Sequence, residues 1–204
     1  MALATLKHGL STSEWTATSE KLEHLRDGGS IIHVDTDANG EGNMIYIQLQ
    51  IQVELFDKYP EAIQLDGTHR TKKLEMPLYT IRIKDKFGLG QPVCFFFVRE
   101  ETTEGIKAGL TYFSKDNNAL KIEVIITDKD YAEIGAVKDI FVNAKSKLCH
   151  FHAFRAVDIC LRKTNIELNH RKETYDSFHR AVYAKTQEEL EVEEDYFVAL
   201  DNRD

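Results

Sequence analysis

The sequence predicts an α/β fold in which helices flank a mixed sheet. Three apolar, strand-like runs follow one another at about residues 62–71, 76–85 and 91–98, joined by short turns. Two more strand-like runs, "KIEVIITD" and "AKSKLCHFH", are each preceded by a segment with helical apolar spacing. The first three strands should therefore form an antiparallel meander. The fourth, reached through a helix, must cross over and is expected to lie parallel to the first.

Apolar spacing and caps support the intervening helices. Ile106, Leu110 and Phe113 recur at helical intervals after residue 100, with Thr102 or Thr103 available as the N-cap. The segment "KDYAEIGAVKDIF" has the same periodicity. Two further helices are predicted after residue 163, and the last begins with a capping box.

Three regions are predicted along the chain. Residues 1–55 hold a polar helix and two strands around a turn rich in Asp, Asn and Gly. Residues 56–163 form the α/β core, and residues 164–204 form a separate helical region.

Composition excludes some classes and leaves the partner open. Apolar residues make up 42% of the 204, which suits a globular core. No apolar run approaches the roughly 20 residues of a membrane helix, so no membrane partner is expected. The opening residues lack the apolar segment of a secretory signal. Three cysteines are too few and too odd in number for a disulfide framework, which favours a reducing compartment.

Charge is unevenly distributed along the chain. The formal net charge is −8, but residues 186–204 hold 8 acids and one base. Residues 141–185 hold 9 bases and 4 acids. A basic stretch therefore precedes an acidic tail, and the total charge decides nothing about partners.

Two aspartates are the strongest candidates for a site. Asp66 ends the first strand of the meander and Asp128 ends the fourth strand. If those strands are parallel neighbours, both carboxylates lie at one edge of the sheet, where open α/β sheets place their sites. Adjacent carboxylates repel unless a cation lies between them, and Mg²⁺ suits such oxygen ligands. The alternative is that Asp66 opens a turn with Gly67 and Asp128 caps a helix. Asp130 could be that cap instead.

Basic residues near these strands are candidates for nucleic-acid contacts. Arg70, Lys72 and Lys73 follow Asp66, and Arg155 lies in the later basic stretch. Such residues could neutralise phosphates. Alternatively, each is an ordinary solvated surface residue.

Four blocks together resemble a known family. They are "LDGTHRT", "PLYTIRIKDKFGLGQPVCFFFVREET", "EVIITDKDYAEIGAV" and "LCHFHAFRAV", in that order. They resemble the catalytic domain of Mutator-like (MULE) transposases, a member of the RNase H-like DDE/D superfamily. The sequence of these blocks is also similar to that of transposase-derived cellular proteins that carry a SWIM-type zinc finger. The resemblance runs from about residue 56 to residue 200.

The resemblance implies a fold, a metal and a partner. It implies an RNase H-like sheet in which Asp66 and Asp128 are catalytic ligands of Mg²⁺ or Mn²⁺. It implies DNA as the partner, either transposon ends or chromatin, and a nuclear location. Residues from about 164 onward resemble a helical insertion. The oligomeric state stays open, with a homo-oligomer as one option.

Cys149 and His152 match the family's Cys-x-x-His signature, and zinc is a candidate cofactor there. A structural zinc needs four ligands, and this pair supplies two. Alternatively, Cys149 is a small core residue, as free cysteines commonly are.

The family's third catalytic residue, a glutamate after the insertion, has no counterpart in these residues. We therefore expect the chain to be part of a transposase core for metal-dependent cleavage and strand transfer, inactive by itself. The alternative is a domesticated, non-catalytic nuclear protein of the SWIM zinc-finger type that associates with DNA or chromatin.

Overall fold

A computed structural model describes residues 12–38, 42–68, 76–164 and 167–201. The chain divides into two compact units, Met1–Lys147 and Leu148–Asp204. Among the described residues, no helix is long and apolar enough to cross a membrane.

The first unit alternates strands and helices. Its strands are β1 (Ile31–Thr36), β2 (Gly42–Gln48), β3 (Ala62–Thr68), β4 (Leu78–Lys84), β5 (Gly90–Val98), β6 (Val124–Thr127) and β7 (Lys145–Leu148), the last ending one residue into the second unit. Its helices are α1 (Thr12–Asp27), α2 (Gln50–Lys58), α3 (Thr103–Asp116) and α4 (Tyr131–Ile140). A single 3-10 turn, Ala119–Lys121, precedes β6.

The strands form one mixed sheet in the order β1-β2-β5-β4-β3-β6-β7. β3, β4 and β5 form the predicted antiparallel meander. β6, reached through α3, pairs with β3 in parallel, and Gln64 lies beside Ile126. The predicted mixed α/β sheet with its parallel crossover is confirmed.

The N-terminal hairpin is part of this sheet, because β2 pairs antiparallel with β5. Side chains also tie β2 to α3. Gln48 and Asn117 exchange two hydrogen bonds of 3.0 Å each, and Gln48 is fully buried. The hairpin therefore lies in the same compact unit as the meander, because β2 hydrogen-bonds directly to the edge of the meander. The predicted division into residues 1–55, 56–163 and 164–204 stays a prediction.

Two apolar layers cover the sheet. Side chains alternate between its faces, so Leu65, Ile81 and Phe96 lie in the larger core with Ile106 and other residues of α3. The smaller core, on the other face, contains Leu22 of α1 with Ile32, Ile45 and Met76.

β6 corrects one detail of the sequence analysis. Its continuous apolar run predicted a strand buried on both faces. In the structure Ile125 and Thr127 are buried, whereas Val124 and Ile126 are only partly buried. The half-covered face is the one that β6 shares with Gln64, because parallel partners project their side chains to the same side.

The second unit is helical. It contains α5 (His150–Lys163), α6 (Leu168–Val182) and α7 (Gln187–Asp201). Phe154 of α5 packs against Phe178 and Tyr183, with ring centroids 5.5 and 6.2 Å away. Arg180 of α6 donates two hydrogen bonds, of 2.7 and 3.0 Å, to Glu193 of α7. Aromatic packing and this ion pair join the three helices.

Gly109 of α3 provides a test of the main core. A Cβ atom there would lie 2.3 Å from Cδ2 of Phe96, which is fully buried and stacked on Tyr79. Overpacking typically costs about 1–3 kcal/mol, whereas alanine gains roughly 1 kcal/mol over glycine in a helix. Because 2.3 Å is far below contact distance, the overpacking cost should be at the top of its range, about 3 kcal/mol. After the gain in helix propensity is subtracted, Gly109→Ala should lower the free energy of unfolding by about 2 kcal/mol.

Urea unfolding followed by circular dichroism measures this change. Gly90→Ala is the matched control, since a Cβ at Gly90 meets no atom within 4 Å. Equal stability of the two variants would show that α3 does not pack this closely on β5.

Candidate functional site

The two candidate aspartates lie at the carboxyl ends of adjacent parallel strands. Gln64 of β3 pairs with Ile126 of β6, and two residues further along each strand come Asp66 and Asp128. Both aspartates are partly buried. Their placement matches the geometric expectation, while their role as metal ligands stays a prediction.

Arg82 gives Asp66 a positive neighbour. Arg82 lies opposite Gln64 on β4, on the same face as Asp66. Its guanidinium nitrogen is 3.7 Å from Oδ2 of Asp66. The Arg82 side chain is 47% exposed, so this ion pair is worth little in stability. It does partly neutralise the carboxylate.

The turn after β6 fixes Asp128 through local hydrogen bonds. Oδ1 of Asp128 accepts a hydrogen bond from the Lys129 amide at 2.6 Å. The helix cap is Asp130, whose Oδ1 accepts from the amides of Ala132 and Glu133 at 2.8 and 3.1 Å. Asp128 is therefore not the cap of α4, which removes one alternative interpretation of that residue.

Glu133 is a site residue that the sequence analysis missed. It is buried, with 4% exposed, and its Oε2 accepts a hydrogen bond from the Asp128 amide at 3.3 Å. A Cβ at Gly67 would lie 2.9 Å from Oε1 of Glu133 and 2.9 Å from Cε1 of Tyr79. The Glu133 carboxylate thus contacts both strand ends, and only glycine leaves room for it beside Asp66.

Burial raises the pKa of Glu133 to about 7. The Asp128 amide lowers it, while the charges of Asp130, Asp128 and Asp66 raise it further. A sequence signal for this residue existed. Asp130 and Glu133 have the spacing of a capping box, in which the glutamate turns back towards the start of the helix. Here the Glu133 carboxylate reaches past the cap residue to the amide of Asp128, two residues earlier in the chain.

The donor chemistry of Asp66 and Asp128 suits a hard divalent cation. Two carboxylates with added waters or phosphate oxygens are a typical Mg²⁺ environment. Within the residues that the structure describes, no group of three or more His, Cys, Asp or Glu side chains is arranged to hold a metal ion. Binding of a divalent cation by Asp66 and Asp128 stays a prediction.

Cys149 and His152 lie at the start of α5, with Cys149 as its N-cap residue. Both are partly buried. No third candidate ligand joins them among the described residues, so a zinc ion would need ligands from elsewhere. The zinc site stays a prediction.

Of the four residues predicted to contact DNA, one lies among the described residues. Arg70, Lys72 and Lys73 lie outside the described residues. Arg155 is exposed on α5. Its role in DNA binding stays a prediction.

Comparison with known proteins agrees with this architecture. The sequence model of the family described as "Zinc finger SWIM domain-containing protein 1/3, RNaseH-like domain" matches residues 22–147, more than half of the chain. The chain belongs to this family. The match confirms the expected RNase H-like fold, and it includes the N-terminal hairpin together with the rest of the sheet.

Other comparisons add little. No curated protein matches the chain. Among solved structures, the catalytic core domain of BIV integrase is similar at 13% identity and a TM-score of 0.32, covering 71% of this chain and 85% of that chain. A likeness of this size carries no information on function.

Glu133 predicts a pH dependence of stability. Its pKa is raised from 4.5 to about 7 in the folded protein, so the folded state holds this proton more tightly than the unfolded state. The contribution is present below pH 4.5 and is lost as pH rises towards 7. Glu133→Gln keeps an acceptor for the Asp128 amide without the charge. Its stability relative to the natural chain should rise between these pH values, by at most about 3 kcal/mol.

Urea unfolding at several pH values in the presence of EDTA measures this difference. Glu54→Gln, which removes one negative charge from an exposed position on α2, controls for net charge. A Glu133→Gln difference that stayed constant from pH 5 to 7 would contradict the prediction.

Proposed function

We propose that this chain is the RNase H-like domain of a domesticated, transposase-derived protein that associates with DNA in the nucleus and does not cleave it. The single observation that carries the proposal is the arrangement around Asp66. Its carboxylate lies at the expected edge of the sheet, and the Arg82 guanidinium places a positive charge 3.7 Å from it.

The surroundings of the second aspartate support the same conclusion. The nearest buried carboxylate, Glu133, is turned towards the Asp128 amide and is enclosed beside Gly67. Two-metal phosphoryl transfer needs carboxylates that hold two ions about 3.5–4 Å apart. Within the described part of the chain, no cluster of three candidate ligands meets that need.

Family membership also favours this proposal over an active transposase. The description of the matching family names proteins that contain a SWIM zinc finger. The domesticated alternative is a protein of that class. DNA association is supported by the basic stretch of residues 141–185, which includes exposed Arg155.

An active transposase core is the second candidate. It is favoured by the placement of Asp66 and Asp128 at adjacent parallel strand ends. In that case the two carboxylates would hold Mg²⁺ or Mn²⁺, which supplies the charge neutralisation that phosphoryl transfer requires. The side chains themselves would position that ion, and Arg82 would compete with it for Asp66.

Metal affinity tests whether the two carboxylates act together. Mn²⁺ binding to the purified chain, followed by electron paramagnetic resonance, should be weak and should depend on both aspartates. A carboxylate–cation attraction near a protein surface is worth about a few kcal/mol, so Asp66→Asn and Asp128→Asn should each reduce affinity at least roughly tenfold. Arg82→Gln should increase affinity, because it removes a competing positive charge.

Asp57→Asn is the matched control, since Asp57 is 71% exposed and pairs with Lys121. Asp57 precedes β3 and Lys121 precedes β6, whereas the site is at the carboxyl ends of these strands. Its Mn²⁺ affinity should equal that of the natural chain. If Asp66→Asn and Asp128→Asn behave like this control, the two aspartates do not form a metal site.

Cleavage separates the two candidate functions. The natural chain, incubated with supercoiled plasmid and either Mg²⁺ or Mn²⁺, should leave the DNA intact, because no third candidate ligand joins Asp66 and Asp128 among the described residues. Agarose electrophoresis detects a nicked product. Nicking that is abolished by Asp66→Asn would establish the second candidate, whereas nicking that survives Asp66→Asn would come from a contaminating nuclease.

A further inference from the structure

The second unit contains a cleft between the end of α5 and the start of α6. Its volume is about 520 Å³. We call it the α5–α6 cleft. One part of its lining is cationic, with Arg162, Arg171 and Lys172, and another part is apolar. The site around Asp66 lies in the other unit, so the cleft is a separate feature of the chain.

The cations of the cleft are not fully neutralised by the side chains around it. Asp158 also lines the cleft and pairs with Arg162, accepting a hydrogen bond from Nε at 3.0 Å. Nε of Arg171 is buried and has no hydrogen-bond acceptor among the described residues. Lys172 is exposed. Three positive groups therefore face one carboxylate.

The excess positive charge of the lining favours an anionic ligand, because an anionic oxygen bound in the cleft would balance it. Arginine suits phosphate in particular, since its planar guanidinium matches the spacing of two phosphate oxygens.

The apolar part of the cleft narrows the class of anion. Leu161, Leu168 and Tyr175 line it, and Leu168 is 75% exposed. A free inorganic phosphate would leave this wall in water. A nucleotide combines a phosphate with a flat base, and single-stranded nucleic acids bind where cations lie beside aromatic side chains.

We propose that the α5–α6 cleft binds one nucleotide unit of a single-stranded nucleic acid. Arg171 and Lys172 contact a phosphate, Asp158 orients Arg162 beside it, and the base packs against Leu168 and Tyr175. The proposal rests on the DNA association proposed above and names a site for it. It requires neither a metal ion nor cleavage.

Fluorescence anisotropy of a labelled twelve-residue oligothymidylate, titrated with the full chain, tests this cleft. Arg171→Gln and Lys172→Gln should each weaken binding and reduce the slope of log affinity against log salt by about 0.7. Tyr175→Leu keeps the wall apolar but removes the stacking surface, and should weaken binding at least about fivefold. Arg171→Lys keeps the charge without the planar guanidinium and should bind with intermediate affinity.

Lys86→Gln is the matched control, because it removes the same charge from the exposed turn between β4 and β5 of the first unit. It should bind like the natural chain. Far-UV circular dichroism confirms that each variant is folded. If Arg171→Gln is unfolded, Lys172→Gln and Tyr175→Leu still decide the outcome, since Lys172 and Tyr175 both line the cleft.

Four results would overturn the proposal. Natural-like affinity of Lys172→Gln and Tyr175→Leu would exclude the cleft while leaving DNA association elsewhere intact. Equal losses on duplex DNA and on the oligothymidylate would indicate general charge attraction instead of a nucleotide site. No binding of any DNA by the natural chain would overturn both the cleft and the proposed DNA association. Competition by inorganic phosphate as effective as by thymidine monophosphate would show that the base contributes nothing.

Discussion

The parallel pairing of β3 with β6 is the constraint on which the site depends. The chain leaves the meander at β5, crosses the sheet through α3 and returns as β6 beside β3, the first strand of the meander. Only a crossover of this kind brings residues near 66 and 128 to the same edge of the sheet. Burial of the α3 residues Ile106, Leu110 and Phe113 in the main core stabilises that crossover. The position of two surface carboxylates is thus determined by apolar packing on the opposite face.

The charge state of Glu133 affects the place where the ends of β3 and β6 meet. Its carboxylate occupies the space beside Gly67 and accepts the Asp128 amide, so it contacts the end of β3 and the turn after β6 at once. Its surroundings disfavour the ionised form, and the hydrogen bond from Asp128 favours it. A buried carboxylate with opposing influences is costly to retain for stability alone. Its hydrogen bond to the Asp128 amide ties α4 to the turn after β6.

The sequence was sufficient for the fold and for the neighbouring aspartates, since both follow from strand order and crossover length. The sequence offered Thr102 or Thr103 as the cap of α3, and Thr102 is the cap, since capping depends on a few adjacent residues. Glu133 was missed because its burial depends on a gap at Gly67, more than sixty residues away in the sequence. Arg82 was missed for a related reason. It reaches Asp66 only through the register of β4 on β3, and periodicity does not specify register.

The partner of the N-terminal hairpin was also beyond sequence reasoning. Its two strands look self-contained in the sequence, but β2 hydrogen-bonds to β5 and so belongs to the larger sheet. Hairpin strands carry no local mark of which other strand they will join.

Charge in the second unit shows why net charge was a poor guide to partners. α7 is acidic, yet Glu193 is used internally, accepting two hydrogen bonds from Arg180 and one from Ser177. Arg180 lies in the C-terminal half of α6, whereas Arg171 and Lys172 lie in its N-terminal half. The acidic helix therefore neutralises one end of a basic helix and leaves cations at the other end. Attraction between exposed charges is screened over about 8–10 Å in physiological salt, so a polyanion at the cleft responds to those local cations more than to the total of −8.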